Sequence, residues 1–214
     1  MKGIHVAISL FCLVLVFLTG KGQTPKVKIF TKADTLRGSI TTERAWWDVL
    51  RYDITVKPDY NDKTIAGINN ITYKVVSDNN GRMMQIDLQE PLVIDSILFN
   101  NSTKVDFIKE GNVWHTKVPR QKAATRHSLA IFYHGKVQEA VRPPWTAGWT
   151  FTKDSLGRPW MTVTCQGSGA SIWFPCKDHQ SDEAKRYSLI TCSVKRLLMP
   201  IMRAYEEASG TTGL

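Results

Sequence analysis

Short segments in which apolar and polar residues alternate, each bounded by turn-forming residues, fill the middle of this chain. In the first of them, Tyr52, Ile54 and Val56 share one face, with charged and polar residues between them. A longer segment, from Ile65 to Val75, repeats the pattern. Because successive side chains point to opposite faces of a strand, this spacing predicts strands with one buried and one solvated face.

The series continues with the same character as far as Tyr133. Five further predicted strands cover Met83–Leu88, Leu92–Phe99, Val105–Ile108, Val113–Val118 and Ser128–Tyr133. Asp78–Gly81 predicts a hairpin turn, and Asn100–Ser102 predicts another turn. No long helical period lies between them, so the chain is predicted to be all-β, an antiparallel β-sandwich or saddle of sheets. Between residues 40 and 183 we expect no helix longer than about three turns.

The N-terminus has the composition of an export signal. Lys2 precedes a mostly apolar run from Ile4 to Leu18, and small residues follow at Gly20–Gly22. The run is shorter than the roughly 20 residues that a membrane-spanning helix needs, which favours a cleavable signal peptide over a stable membrane anchor. Residues 1–22 therefore predict export, to a periplasmic or extracellular location.

The remainder is predicted to comprise a polar leader, a β domain and an atypical tail. These segments are residues 23–39, 40–194 and 195–214, respectively. The β domain is expected to end with a strand from Tyr187 to Val194. The tail fits the β pattern poorly, because Leu197–Ala208 predicts a short helix interrupted by Pro200. A truncated or frameshifted gene is our hypothesis for this tail.

The charge of the chain gives little indication of a nucleic-acid partner. The formal net charge is +9, but lysines and arginines near the two ends carry much of the excess. The body has no stripe of basic residues of the kind that nucleic-acid-binding domains present. We therefore predict a solvated surface and no nucleic-acid partner.

The stretch from Trp160 to Glu183 has an unusual polar, glycine-rich centre. Residues 161–165 alternate as a strand, residues 166–169 break the pattern, and residues 170–174 predict a second strand. The two glycines of the break give the backbone freedom at positive φ. A polar loop on two rigid strands is suited to presenting Gln166 to a ligand or partner. A structural hairpin with a solvated Gln166 is the alternative.

Three cysteines lie outside the signal segment: Cys165, Cys176 and Cys192. One disulfide plus one free thiol can form in an oxidising compartment. Adjacent antiparallel strands seldom give good disulfide geometry, so we favour three small buried hydrophobic residues. A nucleophilic cysteine would need a histidine and an acid beside it in space, and sequence proximity is poor evidence for that arrangement.

Residues 142–160 change character, because their prolines and glycines exclude long regular structure. Four of the seven tryptophans lie here or soon afterwards, namely Trp145, Trp149, Trp160 and Trp173. Such a cluster can serve as an aromatic platform for sugar or peptide. A small apolar core beneath a long loop is the alternative, and we favour it.

Residues 166–178 contain the pattern Gln-x-x-x-Ala-x-x-x-Phe-Pro-Cys-x-Asp. This pattern resembles part of the N-terminal domain of M1 zinc aminopeptidases of the aminopeptidase N-like type. Residues 142–160 resemble the version found in Bacteroidetes-type secreted members, and residues 43–76 resemble the first strands of that domain. The likeness runs from about residue 40 to residue 183. It implies a saddle-like, mostly antiparallel β domain, with residues 142–160 near the entrance of the peptidase cleft.

The resemblance also implies a substrate-binding role for Gln166. Family members use the Gln or Glu at this place to contact the first residue of the bound peptide beside the zinc. The cleft rim is then expected to include Trp145, Trp149, Gly167, Ser168 and Gly169. Related peptidases have a non-proline cis bond after this side chain, so we expect a cis Gln166–Gly167 peptide.

Four further residues lie near this loop: Ser171, Asp178, Asp182 and Glu183. Ser171 stands where many family members have an arginine, so any salt bridge of that arginine is lost here. Asp178 is expected to accept backbone amides and so to stabilise the turn after Pro175. Asp182 and Glu183 are expected to form a solvated acidic end without a catalytic role.

The zinc-binding residues of the family are absent from this sequence. M1 peptidases hold zinc with a His-Glu-x-x-His helix and a distant Glu, and none of the five histidines here begins such a motif. The Gly-x-Met-Glu-Asn segment that binds the substrate amine is absent too. We therefore expect no catalytic residue, metal site or cofactor in this chain, although zinc belongs to the full-length family.

The sequence thus leads to two functional hypotheses. The first is the cleft-lining N-terminal domain of an exported M1 zinc aminopeptidase, inactive alone, which meets the N-terminus of a peptide substrate together with a catalytic domain. The alternative is a stand-alone secreted β-sandwich that binds sugar or protein through its tryptophan cluster.

Overall fold

A computed structural model describes residues 29–182 and 184–191. The chain divides into two compact units, residues 1–31 and residues 32–214. Of the first unit only residues 29–31 are described, and they form neither helix nor strand. All helices and strands described below belong to the second unit.

Two short helices precede the strands: α1 (Lys32–Gly38) and α2 (Thr42–Ala45). Since α1 has seven residues and α2 has four, the expectation of no α-helix longer than about three turns is confirmed for the part of the chain that the structure describes. Helix α1 lies in the segment predicted as a polar leader. Asp34 in its first turn and Arg37 in its last turn have the charges that the helix dipole favours.

The rest of the described chain is built from strands in three sheets. The strands are β1 (Trp47–Asp59), β2 (Thr64–Val75), β3 (Met84–Asp87), β4 (Val93–Phe99), β5 (Thr103–Val105), β6 (Phe107–Glu110), β7 (Val113–Thr116), β8 (Arg126–Lys136), β9 (Gly148–Lys153), β10 (Pro159–Thr164) and β11 (Arg186–Thr191). One sheet has the order β11-β1-β2-β8-β4-β5, a second has the order β3-β7-β6, and β9 pairs with β10. The predicted all-β, mostly antiparallel fold class is confirmed.

The core is formed by alternate residues of the long strands. Tyr52, Ile54 and Val56 of β1 are buried, as their spacing predicted. Ile71 and Tyr73 of the neighbouring strand β2 are buried in the same alternating pattern. Removing these apolar side chains from water is the main favourable contribution to folding, and it fixes which face of each strand points inward.

Strand β11 is the exception to the antiparallel arrangement. It pairs in parallel with β1 at the edge of the large sheet, with Tyr187 opposite Tyr52 and Leu189 opposite Ile54. Parallel neighbours need a long connection, and here almost the whole domain separates the two strands in sequence. The described part of the strand predicted from Tyr187 to Val194 is therefore confirmed.

Two predictions of local structure are wrong. Residues 78–81 do not close a hairpin, because the strands on either side, β2 and β3, belong to different sheets. Residues 170–174 are not a second strand after the glycine-rich loop: Ala170–Ile172 forms a 3-10 helix, and β10 pairs instead with the preceding strand β9. In both cases the turn residues were recognised, but the strands beside them pair elsewhere: β2 and β3 lie in different sheets, and β10 forms a hairpin with β9.

Several predictions lie outside the described residues. They include the signal peptide (residues 1–22), the tail (residues 195–214), Cys192 and Glu183. Among the residues that are described, no helix is both long enough and apolar enough to cross a membrane.

Candidate functional site

The candidate site is the Gln166 loop, defined here as residues 165–171, which connects β10 to the 3-10 helix. The carbonyl of Cys165 accepts hydrogen bonds from the amides of Ser168 (3.1 Å) and Gly169 (2.9 Å), which closes a turn. Gly167 lies inside this turn with a φ of 71°, a conformation that favours glycine. The turn places Gln166 on the outside of the loop.

The peptide bond between Gln166 and Gly167 is trans. Cis bonds in the described residues precede Pro91 and Pro144, so the expectation of a cis bond after Gln166 is wrong. The positive φ of Gly167 reverses the chain with a trans peptide, and the turn closes through hydrogen bonds to Cys165. The loop needs no cis bond for its shape.

The side chain of Gln166 is exposed and forms no hydrogen bond to any residue within 29–182 or 184–191. Its amide oxygen can accept a hydrogen bond from an ammonium group, and its amide nitrogen can donate to a carbonyl. These two functions match the free amine and the first carbonyl of a peptide. The side chain has no group that can activate water at neutral pH.

The carbonyls of the Gln166 loop are held by donors from two other parts of the domain. Gln89 donates from Nε2 to the carbonyl of Ser168 (2.6 Å) and to Oγ of Ser171 (2.8 Å), and its backbone amide donates to the carbonyl of Ser171 (2.9 Å). Arg37 of α1 donates from Nη2 to the carbonyl of Gly167 (3.0 Å). The loop is therefore tied to its surroundings on both sides of the turn.

Asp178 holds the loop from the other end. Its Oδ2 accepts hydrogen bonds from Oγ of Ser171 (2.6 Å) and from the amide of Ser171 (3.3 Å). The expectation that Asp178 accepts a backbone amide is confirmed, but the amide belongs to the 3-10 helix before Pro175. Ser171, which replaces the arginine of the family pattern, is itself buried and bonds Asp178 directly.

A buried ion pair lies beneath the loop. Nη2 of Arg44 contacts Oδ2 of Asp87 at 2.6 Å, and that oxygen also accepts the amide of Asp178 (2.9 Å). The same guanidinium donates from Nη1 to the carbonyls of Arg37 and Ser39, each at 3.0 Å. Burial raises the pKa of Asp87, and the Arg44 charge acts in the opposite direction. Arg44 lies on α2 and Asp87 on β3, so the pair connects these two elements. Their further hydrogen bonds connect them to the end of α1 and to the segment after the loop.

Neither described cysteine has the features of a nucleophile. Cys165 and Cys176 are both free thiols, so they do not form a disulfide with each other. Cys176 is buried, and burial raises its pKa well above the ordinary value. Burial raises the pKa of Cys165 as well. Both thiols are therefore protonated at neutral pH, in agreement with a structural role.

The four tryptophans do not form an aromatic platform. Trp149 is 1% exposed and stacks on Phe151, with ring centroids 6.2 Å apart, so its ring does not face solvent, and its place at a cleft rim stays a prediction. Trp160 and Trp173 are partly buried. Trp145 is 75% exposed and is the member of the four that offers its ring to solvent. No ring contact within the described ranges joins any two of them.

The sequence predicted that Asp182 belongs to a solvated acidic end, and this prediction is wrong. Its side chain is 5% exposed and forms an ion pair with the equally buried Lys177. Lys177 also donates from Nζ to the carbonyl of Trp47 (2.5 Å) and lies 4.7 Å from the centroid of that ring. Burial lowers the pKa of Lys177, while the hydrogen bond and charge of Asp182 raise it. The pair fixes the chain between the loop and β11.

No metal site is apparent in the residues that the structure describes. No three of their His, Cys, Asp and Glu side chains converge closely enough to hold an ion. The residues present here therefore do not fit the zinc that related peptidases contain, and no chemical step is assigned to it.

Four residues of the site were not found from the sequence: Arg37, Arg44, Asp87 and Gln89. Arg37 and Arg44 lie far from the Gln166 loop in the chain, and nothing in their own segments connects them with that loop. Asp87 did leave a signal, because a carboxylate at the end of the short, fully buried strand β3 requires a partner. The sequence could not identify that partner.

Of the comparisons with known proteins, the one with solved structures finds proteins of similar fold. No family model matches the sequence, and no curated protein matches it. Among solved structures, an M1 zinc metallopeptidase from Deinococcus radiodurans is similar, with 18% identity, a TM-score of 0.53, and coverage of 71% of this chain and 33% of that chain. Yeast leukotriene A4 hydrolase in complex with bestatin is similar too, with 18% identity, a TM-score of 0.56, and coverage of 70% of this chain and 23% of that chain.

These values establish a shared fold and no more. The described chain has the architecture of the β domain that begins M1 metallopeptidases. It spans about a third of the length of the first of these proteins and about a quarter of the second. For this chain, the activities of those proteins are therefore proposals.

Proposed function

We propose that this chain is the N-terminal, cleft-lining domain of an exported M1 zinc aminopeptidase, of the aminopeptidase N-like type found in secreted Bacteroidetes members. In this role Gln166 contacts the free N-terminus of a peptide substrate, and a zinc-binding catalytic domain supplies the chemistry. The residues of this chain by themselves bind and orient, and do not hydrolyse.

The observation that carries the proposal is the structural likeness to M1 zinc metallopeptidases over about 70% of this chain. The Gln166 loop adds to it, because the loop presents an exposed amide without a hydrogen-bond partner among the described residues, on a turn whose carbonyls are bonded. An ammonium group can donate to the Gln166 oxygen at the cost of displacing only water. The neighbouring Gly167, Ser168 and Gly169 then form the rim of the site.

Zinc, where related enzymes bind it, supplies a Lewis acid and an activated water. This chain contributes no ligands to it in the proposal. Its own contribution is geometric: a rigid β domain that places one amide at a fixed position beside the scissile end of the peptide.

The binding half of the proposal is tested by nuclear magnetic resonance on the purified, ¹⁵N-labelled chain. A short peptide with a free N-terminus should shift the side-chain amide resonances of Gln166, and the same peptide with an acetylated N-terminus should not. The backbone amides of Gly167 and Ser168 are the reporters in the variants: the free-amine peptide should no longer shift them in Gln166→Leu, and it should still shift them in Gln138→Leu, at an exposed glutamine outside the loop. Equal responses to free and acetylated peptide would contradict the proposal.

The hydrolytic half is tested with aminoacyl anilides in the presence of added zinc. The chain should release no chromophore above background, because its sequence has no His-Glu-x-x-His motif to hold the metal and activate water. Turnover that a chelator abolishes and that Gln166→Ala removes would show that the chain has a zinc site of its own.

The alternative, a stand-alone secreted module that binds sugar or protein, has one supporting observation, the exposed ring of Trp145. A single exposed tryptophan lacks the neighbouring aromatic rings that a sugar platform uses. Selective retention of the chain on a glycan array, lost in Trp145→Ala and kept in Gln166→Ala, would favour the alternative.

A further inference from the structure

The backbone carbonyls of the Gln166 loop accept hydrogen bonds from side chains that lie far away in the sequence. The carbonyls of Gly167 and Ser168, which flank the corner of the turn, both accept from side chains of other elements. Within the loop, only the carbonyl of Cys165 closes the turn. A small exposed turn is ordinarily held by its own backbone and by water. Here the orientation of the corner depends on two distant donors.

We infer that Gln89 and Arg37 are positioning residues that set the direction in which Gln166 points. The inference rests on the proposed function for its meaning, because it assigns these two residues to the binding of a peptide amine. Neither residue touches the substrate in this scheme. Each acts through a carbonyl of the turn that carries Gln166.

The two donors are themselves fixed, which is necessary for them to position anything. The backbone of Gln89 is bonded to the carbonyl of Ser171 (2.9 Å), and two residues earlier Asp87 pairs with Cys176 through both backbone hydrogen bonds. The Gln89 side chain therefore starts from a backbone that is joined to the far end of the loop. The side-chain amide of Gln89 is therefore held within hydrogen-bond distance of the carbonyl of Ser168.

Arg37 is anchored in a comparable way. The carbonyl of Arg37 accepts Nη1 of the buried Arg44 at 3.0 Å, and the carbonyl of Leu36 accepts Nε2 of Gln85 at 3.0 Å. Both donors belong to the buried network around Asp87. The end of α1 is thus held against the domain, and its guanidinium reaches the carbonyl of Gly167.

A simpler explanation is that these hydrogen bonds only stabilise the fold. The two explanations differ in what a lost donor does to peptide binding. A positioning residue changes the affinity for a free-amine peptide while the domain stays folded. A purely stabilising residue changes the free energy of unfolding and leaves the bound peptide unaffected.

Gln89→Glu is the sharpest variant, because it keeps the shape of the side chain and replaces the donating NH2 by an oxygen that repels the carbonyl of Ser168. Gln138→Glu is the matched control, since Gln138 is exposed and its side chain has no hydrogen bond within the described residues. Arg37→Gln and Arg120→Gln form a second pair, Arg120 being exposed without a described side-chain partner. All four are compared with the unmodified chain.

Amide hydrogen exchange at Ser168 and Gly169 measures whether the turn is held. In Gln89→Glu both amides should exchange about tenfold faster than in Gln138→Glu, the equivalent of one lost hydrogen bond. The affinity for a free-amine peptide should fall by about tenfold as well, in a domain that is still fully folded at the temperature of the measurement. Arg37→Gln should show the same changes to a smaller extent.

Acidification supplies a signature that general destabilisation would not give. As the pH falls towards about 4, the new carboxyl of Gln89→Glu becomes protonated and can donate to Ser168 again. Exchange and peptide affinity should then return to the values of Gln138→Glu measured at the same pH. Gln89→Leu, which cannot regain a donor, should show no recovery.

Three results would overturn the inference or separate it from the proposed function. Unchanged exchange at Ser168 and Gly169 in Gln89→Glu would show that this residue does not hold the turn. Faster exchange with unchanged peptide affinity would show a merely structural role. If the unmodified chain does not respond to free-amine peptide, the proposed function fails, and the exchange data alone then decide whether Gln89 and Arg37 hold the turn.

Discussion

The large sheet and the Gln166 loop are held together in different ways. In the sheet, neighbouring strands pair over many residues and bury alternate apolar side chains, so each strand has its own sequence signature. The loop is held by hydrogen bonds from side chains distant in the sequence: Arg37 is 130 positions from Gly167, and Gln89 is 79 positions from Ser168. Stability of the sheet is therefore distributed, whereas the geometry of the loop depends on a few individual side chains.

Asp87 of β3, in the three-stranded sheet, joins that sheet to α2 and to the segment after the loop, and its removal should have the largest effect. Asp87→Ala leaves the fully buried guanidinium of Arg44 without its carboxylate and removes an acceptor from the amide of Asp178. We expect a loss of roughly 3–5 kcal/mol in the free energy of unfolding, as for other broken buried pairs. Urea denaturation measures it.

Asp62→Ala is the control for this change, because Asp62 is exposed and its side chain has no hydrogen bond in the described residues. It should cost less than about 0.5 kcal/mol. Similar losses in the two variants would mean that the buried pair does not hold β3 to the segment after the loop.

Gly169→Ala tests the loop alone and should have an intermediate effect. A Cβ at this position would lie 2.1 Å from Oδ2 of Asp178, and the φ of 77° already disfavours a side chain. Gly157 has nearly the same φ of 75° with open space around it, so Gly157→Ala carries the backbone cost without the clash. We expect Gly169→Ala to lose roughly 1–3 kcal/mol more than Gly157→Ala.

Thermal or urea unfolding of the two glycine variants gives the comparison directly. The Gly169→Ala variant should also lose the peptide response of Gln166, since Asp178 has to move away from Ser171. Equal stability of the two variants would show that the Asp178 carboxylate yields without cost and that the loop is less tightly held than its hydrogen bonds indicate.

The smallest effect is expected at the β9–β10 turn, which is held by its own residues. Oδ1 of Asp154 accepts the amides of Arg158 (2.8 Å) and Leu156 (2.9 Å). The hydrogen bond from the Arg158 amide, with the neighbouring guanidinium, lowers the pKa of Asp154. A carboxyl whose pKa is lower in the folded state contributes stability above its unfolded pKa, and this contribution disappears as the pH falls through the folded pKa.

Asp154→Asn should therefore reduce the loss of stability on acidification below about pH 4. Urea unfolding midpoints from about pH 6 to about pH 2 provide the measurement. Asp62→Asn, at an exposed site, is measured in parallel as the comparison variant. An identical pH profile for Asp154→Asn and the unmodified chain would contradict the assigned role of this carboxylate.

The sequence by itself determined most of the strands. Tyr52, Ile54 and Val56 are buried as predicted, because a period of two has only one face that can be removed from water. The all-β class followed from the same local pattern. The position of the glycine-rich break at residues 166–169 was also readable, since a cluster of glycine and polar residues between two apolar runs is typical of a loop.

Only the tertiary structure decided which elements meet. It paired β10 with β9, formed a 3-10 helix from residues 170–172, buried Trp149 and the side chain of Asp182, and brought Arg37 and Gln89 to the Gln166 loop. The contacts of Arg37 and Gln89 have no local signature, because a hydrogen bond between residues far apart in the chain depends on the path of everything between them. Local chemistry specifies the strands of this protein, and long-range packing specifies the direction in which Gln166 points.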